Sequence, residues 1–308
     1  MNQRINIYLL LLLLIILFSI ISPYFFTYQN FANIILSSSI IGIIAIGMSF
    51  VIATAGIDLS VGSIVAFSSC FSAVLFPENS FLIIVVCFLS ACIVGVINGY
   101  IIGYKKYPAF IVTLALMSIA RGFGYIVTDG MPIYGLPSGI KFIGQGHLLG
   151  IQFPIILFVS IFISFNYIKN NTKLGRYFAY IGDNERASFN AGINVSKYKL
   201  VVYVISALLC GIAGLIMMGR MNTADPSAGL MYEMSAITAT ILGGTSLFGG
   251  KYTVTGTIAG VLVIGVLQNG LNLLNVPVYY QQVIIGIILI LGVVSNKSKS
   301  NANADIRS

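Results

Sequence analysis

Between Ile5 and Val294 the chain returns again and again to apolar stretches of the length that crosses a lipid bilayer. A helix rises 1.5 Å per residue and needs about 20 residues to span about 30 Å of hydrocarbon. Stretches near that length occupy residues 5–21, 34–54, 81–104, 110–128, 151–168, 199–218, 253–274 and 280–294. Two shorter ones, 61–76 and 235–247, adjoin glycine-rich breaks or polar loops. Only 8% of residues are charged, against about 25% in an ordinary soluble domain. A soluble fold has to clothe itself in polar side chains, and here there are too few. The expected fold is all-α, a polytopic transmembrane helical bundle of about ten spans in a lipid bilayer.

The first stretch, Ile5–Ile21, has Arg4 before it but is longer than the roughly 7–15-residue core of a signal peptide. Its exit, Ser22-Pro23-Tyr24-Phe25-Phe26, lacks a small-residue cleavage pattern, so it is expected to stay as the first helix.

The formal charge of +8 would suggest nucleic acid in a soluble protein, but here its placement matters more. With the N-terminus inside, the inner segments hold Arg4, Lys105, Lys106, Lys169, Lys173, Arg176, Arg186, Lys197, Lys199, Lys251, Lys297, Lys299 and Arg307. Lys141 and Arg220 fall outside and Arg121 lies within a span. Cytoplasmic loops carry the excess of Lys and Arg, so both termini are expected in the cytoplasm and no nucleic-acid partner is expected. Residues 1–294 form one transmembrane domain, 169–198 a cytoplasmic loop within it, and 295–308 a cytoplasmic tail expected to be disordered. The outer loop 129–150, rich in Gly and Pro, is expected to be irregular and mobile.

Cys70, Cys87, Cys92 and Cys210 each sit in apolar sequence with no histidine nearby, which fits buried hydrophobes better than metal ligands. The single histidine, His147, lies in a polar loop. No catalytic constellation, metal site or cofactor is expected.

Thr54-Ala55-Gly56-Ile57-Asp58-Leu59-Ser60-Val61-Gly62-Ser63 interrupts apolar sequence with a carboxylate, serines and glycines. Asp58 suits a cap for a helix starting near Leu59. The segment reads equally as a short cytoplasmic turn or as a broken helix bordering a solute path. Its Gly56-x-x-Leu59-x-x-Gly62 spacing recurs as Gly244-x-x-Leu247-x-x-Gly250, and Gly95-Val96-Ile97-Asn98-Gly99 resembles Gly265-Val266-Leu267-Gln268-Asn269-Gly270, a possible internal repeat. Asp58, Ser60, Asn98, Asn269 and Asn272 are the candidates for a path that handles hydroxyl-rich solutes, although amides also join helices to one another. Arg121 is expected to pair structurally or to line the outer mouth. In the inner loop, Asp183–Ala191 reads as one short helix ended by Gly192. Such a helix either lies on the membrane or receives the movement of a soluble motor. The chain has no GxxxxGK[ST] phosphate loop, so nucleotide would have to bind another subunit.

Several segments together resemble the permeases of bacterial carbohydrate ABC importers of the ribose, xylose, arabinose and galactose group. They are Gly56–Ser63, Pro108–Leu114, Arg121-Gly122, Leu174–Tyr177, Gly182–Glu185, Ala191–Val195 and Leu242–Gly250, leading to Asn269–Leu274. Gly270–Leu274 followed by Tyr279-Tyr280-Gln281 is most similar to the ribose branch. Ala115, where the group often has glycine, is a departure. The resemblance implies a permease that imports a monosaccharide by alternating access. It implies a cytoplasmic ABC ATPase that binds ATP-Mg, an extracytoplasmic sugar-binding protein and a second permease copy, a homodimer being expected. It implies that Gly182, Asp183, Glu185, Arg186, Ala187 and Gly192 couple the chain to that ATPase. The alternatives are an ion-coupled secondary transporter, for which embedded ionisable groups are few, and the same permease role for autoinducer-2.

Overall fold

The computed structural model describes residues 3–305, and side chains for residues 7–294. In chain order the elements are α1 (Gln3–Ile21), α2 (Tyr28–Ala53), α3 (Val61–Leu75), α4 (Ser80–Gly103), α5 (Ala109–Val127), β1 (Ile133–Tyr134) and α6 (Ser138–Gln145). There follow β2 (His147–Leu148), β3 (Ile151–Gln152), α7 (Phe153–Asn171), α8 (Lys173–Asp183), α9 (Glu185–Asn190) and α10 (Val195–Met221). The last are β4 (Thr223–Ala224), α11 (Tyr232–Leu242), α12 (Val254–Leu273) and α13 (Val278–Asp305).

Every apolar stretch of the sequence lies in or along one of these helices. Six, α2, α4, α5, α7, α10 and α12, are long and apolar enough to cross a membrane; Ile7–Ile21, α3 and Val278–Val294 are shorter apolar helices. The polar side chains between them start the helices. Thr27, Asn79, Thr172, Asn184, Asn194 and Thr253 each accept a hydrogen bond from an amide in the first turn that follows, donors a helix would otherwise leave orphaned.

The core is built around α2, α10 and α12. Ile43, Ile44, Ile46, Met48, Phe50 and Ile52 of α2 are fully buried. Glycines set the spacing. Gly95, Gly99 and Gly103 lie along one stripe of α4, where any Cβ would run into the α10 backbone at Tyr203, Leu200 and Ser196. Gly256 and Gly260 bring α12 equally close to the 243 and 239 carbonyls at the end of α11. Lipid tails give apolar helices little reason to leave them for one another, so close backbone approach of this kind holds the bundle together. Leu12, Leu13, Ile111, Ile126, Ile163, Ile290 and Leu291 face outward from α1, α5, α7 and α13, apolar side chains that lipid solvates.

Four expectations change. The 235–247 span is the helix Tyr232–Leu242, 11 residues long, or about 16 Å; Gly243 and Gly244 end it short of a full crossing. The 129–150 loop is ordered: α6 packs on α10, β1 pairs with β4, and β2 with β3. Gly144 lets α6 rest on the Gly219–Arg220 backbone, and Gln145 Nε2 donates to the carbonyls of Gly219 and Arg220 at 3.2 and 3.0 Å. The short helix expected over Asp183–Ala191 is α9, Glu185–Asn190: Asp183 instead ends α8, because Asn184 is extended (φ −155°, ψ 102°) and its side chain starts α9. Finally, α13 continues as helix from Ser295 to Asp305 where a disordered tail is expected; that stretch has neither proline nor glycine to stop it.

Candidate functional site

The 54–60 connection between α2 and α3 is irregular yet enclosed. Thr54, Asp58 and Ser60 are buried, Asp58 completely. Asp58 does not cap an amide of the helix that follows. Its Oδ1 accepts from the Ser60 amide (3.0 Å) and the Ser60 hydroxyl (2.5 Å), a tight turn just ahead of α3, which starts only at Val61. Its Oδ2 accepts from Ser206 Oγ of α10 at 3.2 Å. Asn98 of α4 donates through Nδ2 to Ser60 Oγ at 2.9 Å, while its buried Oδ1 has no partner among the described residues. Tyr203 and Thr113 both donate to the Ile57 carbonyl. One polar cluster thus ties the α2–α3 break to α4, α5 and α10. Backbone that leaves the helical ladder at membrane depth persists only where protein covers it or it lines a water-filled cavity; the cluster covers Asp58 and Ser60, while Thr54, Ala55 and Gly56 border a cavity of about 200 Å³.

Of the five path candidates, Asp58, Ser60 and Asn98 are brought together and Asn269 and Asn272 are not. Asn269, on α12, exchanges two hydrogen bonds with Asn30 of α2, at 3.0 and 2.9 Å. Asn30 also donates to the Phe25 carbonyl, tying this pair to the connection between α1 and α2. Asn272 accepts from Gln281 Nε2 of α13 at 2.7 Å. Both pairs belong to the end of the bundle opposite the glycine loops.

Among the described residues, Arg121 contacts no carboxylate directly. Its Nη1 donates to the carbonyls of Pro226 and Ala228, at 2.8 and 2.6 Å, and so fastens the loop between β4 and α11 to α5. Asp225 in that loop is engaged locally, accepting from the amide and hydroxyl of Ser227.

The charged segment lies at the end where α2 stops and α12 starts. Asp183, Glu185, Arg186, Ala187 and Gly192 are exposed there, with Gly182 half-buried. Glu185 forms an ion pair with Lys199 of α10 (2.5 Å), and Gly192 (φ +82°) turns the chain out of α9. Phe189, absent from the sequence candidates, projects among these charges with 69% of its surface exposed. Glu185, Arg186, Phe189, Gly192 and Lys106 border a cavity of about 740 Å³. Sequence reading also passes over Ser206 and Lys199. Ser206 is a lone serine in an apolar run, with no signal of its own; Lys199 lies 14 residues from its partner.

Apolar spans around an enclosed polar cluster, with an exposed charged segment at one end, define a multi-pass membrane protein. The sequence places it in a family: residues 30–293 match the permease component of the branched-chain amino acid transport system, and the chain belongs to that family. It is 42% identical over 295 residues to the ribose import permease of Haemophilus influenzae, covering 94% of this chain and 91% of that protein. It is 41% identical over 302 residues to the ribose import permease of Bacillus subtilis, covering 97% and 94%. The L-arabinose transport system permease of Escherichia coli is 34% identical over 290 residues, covering 94% and 88%. No solved structure matches the chain. The family description names amino acids whereas these relatives carry sugars. Identity along nearly the whole length is the more specific guide, and it identifies a sugar-permease type of inner-membrane protein.

Proposed function

We propose that this chain is the membrane subunit of an ATP-driven importer of ribose, with ATP hydrolysed by a separate cytoplasmic subunit. The observation that carries the reading is the 42% identity to a ribose import permease along 94% of the chain. In this reading the end bearing α8 and α9 faces the cytoplasm, as the placement of Lys and Arg favours. The exposed face of Glu185, Arg186 and Phe189 receives the ATPase, with the 740 Å³ recess beside it taking part of the partner's surface. A largely exposed aromatic ring flanked by charges is costly in water and useful in an interface.

In the same reading, transport proceeds by alternating access. Closure of the ATPase moves α8 and α9, and the spans they rest on change which side is open. A soluble binding protein outside supplies most sugar affinity, so the path through the bundle needs only neutral hydroxyl and amide groups. A second copy of the chain completes the transporter. The arabinose and allose permeases among the relatives, 34–35% identical, keep another pentose or hexose as the second reading.

The test is purification of the tagged chain from its native membrane together with ribose uptake. Recovery of an ABC ATPase, and loss of ribose uptake when the gene is deleted, are the expected results. Recovery of the chain without any ATPase overturns the ATP-driven reading; uptake of ribose that survives deletion while another sugar's uptake fails reassigns the substrate.

A further inference from the structure

Three segments far apart in the chain meet backbone to backbone at the α8 end of the bundle. Ala53 ends α2, Gly182 is the penultimate residue of α8, and Gly249-Gly250 lie in the loop between α11 and α12. The Gly250 amide donates to the Ala53 carbonyl at 3.1 Å. A Cβ on Gly182 would overlap that same carbonyl and stand 2.6 Å from the Gly250 amide nitrogen. A Cβ on Gly249 would lie 2.8 Å from the Gly182 carbonyl oxygen and 2.9 Å from the Ala55 amide. Tyr252 braces the other end of α8, seven residues before Gly182. Its hydroxyl donates to the Gly175 carbonyl of α8 at 2.9 Å, and its ring meets Phe50 of α2 edge-on.

Between Ala53, Gly182 and Gly250 the approach is backbone to backbone, with only the Ala55 methyl and the Asp183 side chain alongside. Packed backbone transmits displacement instead of yielding to it. What lies beyond the contact is equally specific. From Ala53 the chain reaches the buried Asp58 within one short loop, and from Gly250 it reaches Thr253, which starts α12. Ala53 and Ala55, just ahead of the 56–62 interruption, and Gly249-Gly250, within the 244–250 one, therefore meet α8 at the same spot.

We propose that this joint of Ala53, Gly182 and Gly250, with Tyr252 bracing the other end of α8, delivers the movement of α8 to both interrupted segments at once, with Gly182, Gly250 and Tyr252 acting as positioning residues. The proposal rests on the reading that α8 and α9 take up the ATPase's movement. Its test keeps the two separable, since the unaltered chain must first copurify with the ATPase.

The assembled transporter bearing Gly182→Ala is reconstituted with its binding protein, and ribose uptake and ATP hydrolysis are read together. The inserted methyl pushes Ala53 away from Gly250. The expected result is an assembled complex that still hydrolyses ATP while sugar moved per ATP falls about tenfold, in the range of coupling changes caused by residues remote from any ligand. Gly286→Ala, on α13 with nothing within 4 Å, serves as the control and keeps the wild-type ratio. Tyr252→Phe removes one hydroxyl and no volume, and is expected to lower the ratio about threefold. A wild-type ratio in Gly182→Ala overturns the joint. If Gly182→Ala does not assemble, Tyr252→Phe decides: a lowered ratio supports the joint and an unchanged one overturns it.

Discussion

Asp58 is the most enclosed charged residue in the bundle, and its removal separates two explanations for why a carboxylate sits there. Three donors converge on it: the Ser60 amide, the Ser60 hydroxyl and the Ser206 hydroxyl. In Asp58→Ala all three lose their acceptor. The hydroxyls can turn to helix carbonyls, as Ser63, Ser68 and Ser69 of α3 already do, but the Ser60 amide has nowhere to turn. An orphaned buried donor costs about 1–3 kcal/mol, so the expected loss of stability is about 2 kcal/mol. Asp58→Asn keeps Oδ1 for both Ser60 donors and turns Nδ2 toward Ser206 Oγ, which then accepts. Its expected cost is below about 1 kcal/mol. The assay is thermal unfolding of the purified protein in detergent, followed by a thiol-reactive dye, since Cys70, Cys87 and Cys210 are buried and react only once the bundle opens. Uptake is measured in parallel, with Asn near wild type and Ala impaired. Equal destabilisation by Asn and Ala would refute the acceptor argument and show that the negative charge itself is required.

Glu185→Lys sets two cations side by side at Lys199 and is expected to abolish uptake while lowering stability by under about 1 kcal/mol, because the pair is partly solvated. The exchange Glu185→Lys with Lys199→Glu restores the local pair; uptake that stays lost places Glu185 against a partner, whereas recovery would assign it only to holding α9 on α10. Asn269→Leu strands one acceptor and one N–H of Asn30 and is expected to cost about 1–2 kcal/mol in unfolding. Adding Asn30→Leu removes the stranded groups but also the Asn30 bond to the Phe25 carbonyl, so it should return only part of that stability; uptake by the double variant tells a solute-handling amide pair from a purely structural one, and normal uptake would remove Asn269 from the path.

What the sequence made legible follows from how strongly each feature is dictated locally. Span positions are fixed by runs of apolar residues that have no soluble alternative, and α2, α4, α5, α10 and α12 lie within a few residues of the expected stretches. Features that depend on a partner distant in the chain were hidden. The split of α8 from α9 turns on Asn184 alone, whose side chain caps a helix as well as it sits inside one. The order of the 129–150 loop depends on Gly219 offering a bare backbone surface 75 residues away from Gly144. The pairing of Asp58 with Ser206 spans 148 residues, and no periodicity in either segment announces it.

The glycines carried more information than their role as repeat landmarks implied. Gly95 and Gly99 read as a motif shared with Gly265 and Gly270, yet their packing differs: the first pair meets the α10 backbone, whereas the second meets the side chains of Ser38 and Phe18. The two interrupted segments are likewise not interchangeable. The short helix α3 follows the first, while the short helix α11 precedes the second. What the segments share is a place, because Ala53 and Gly250 are hydrogen-bonded to each other and both abut Gly182. The glycines of the two repeats themselves have different neighbours: Gly56 lies against the Tyr203 hydroxyl and Gly62 against the Gly229 carbonyl, whereas Gly249 and Gly250 lie against Gly182 and Asp183 of α8. In the proposed joint a displacement of α8 acts on the end of α2 and on the 244–250 loop together, because the Gly250–Ala53 hydrogen bond joins those two.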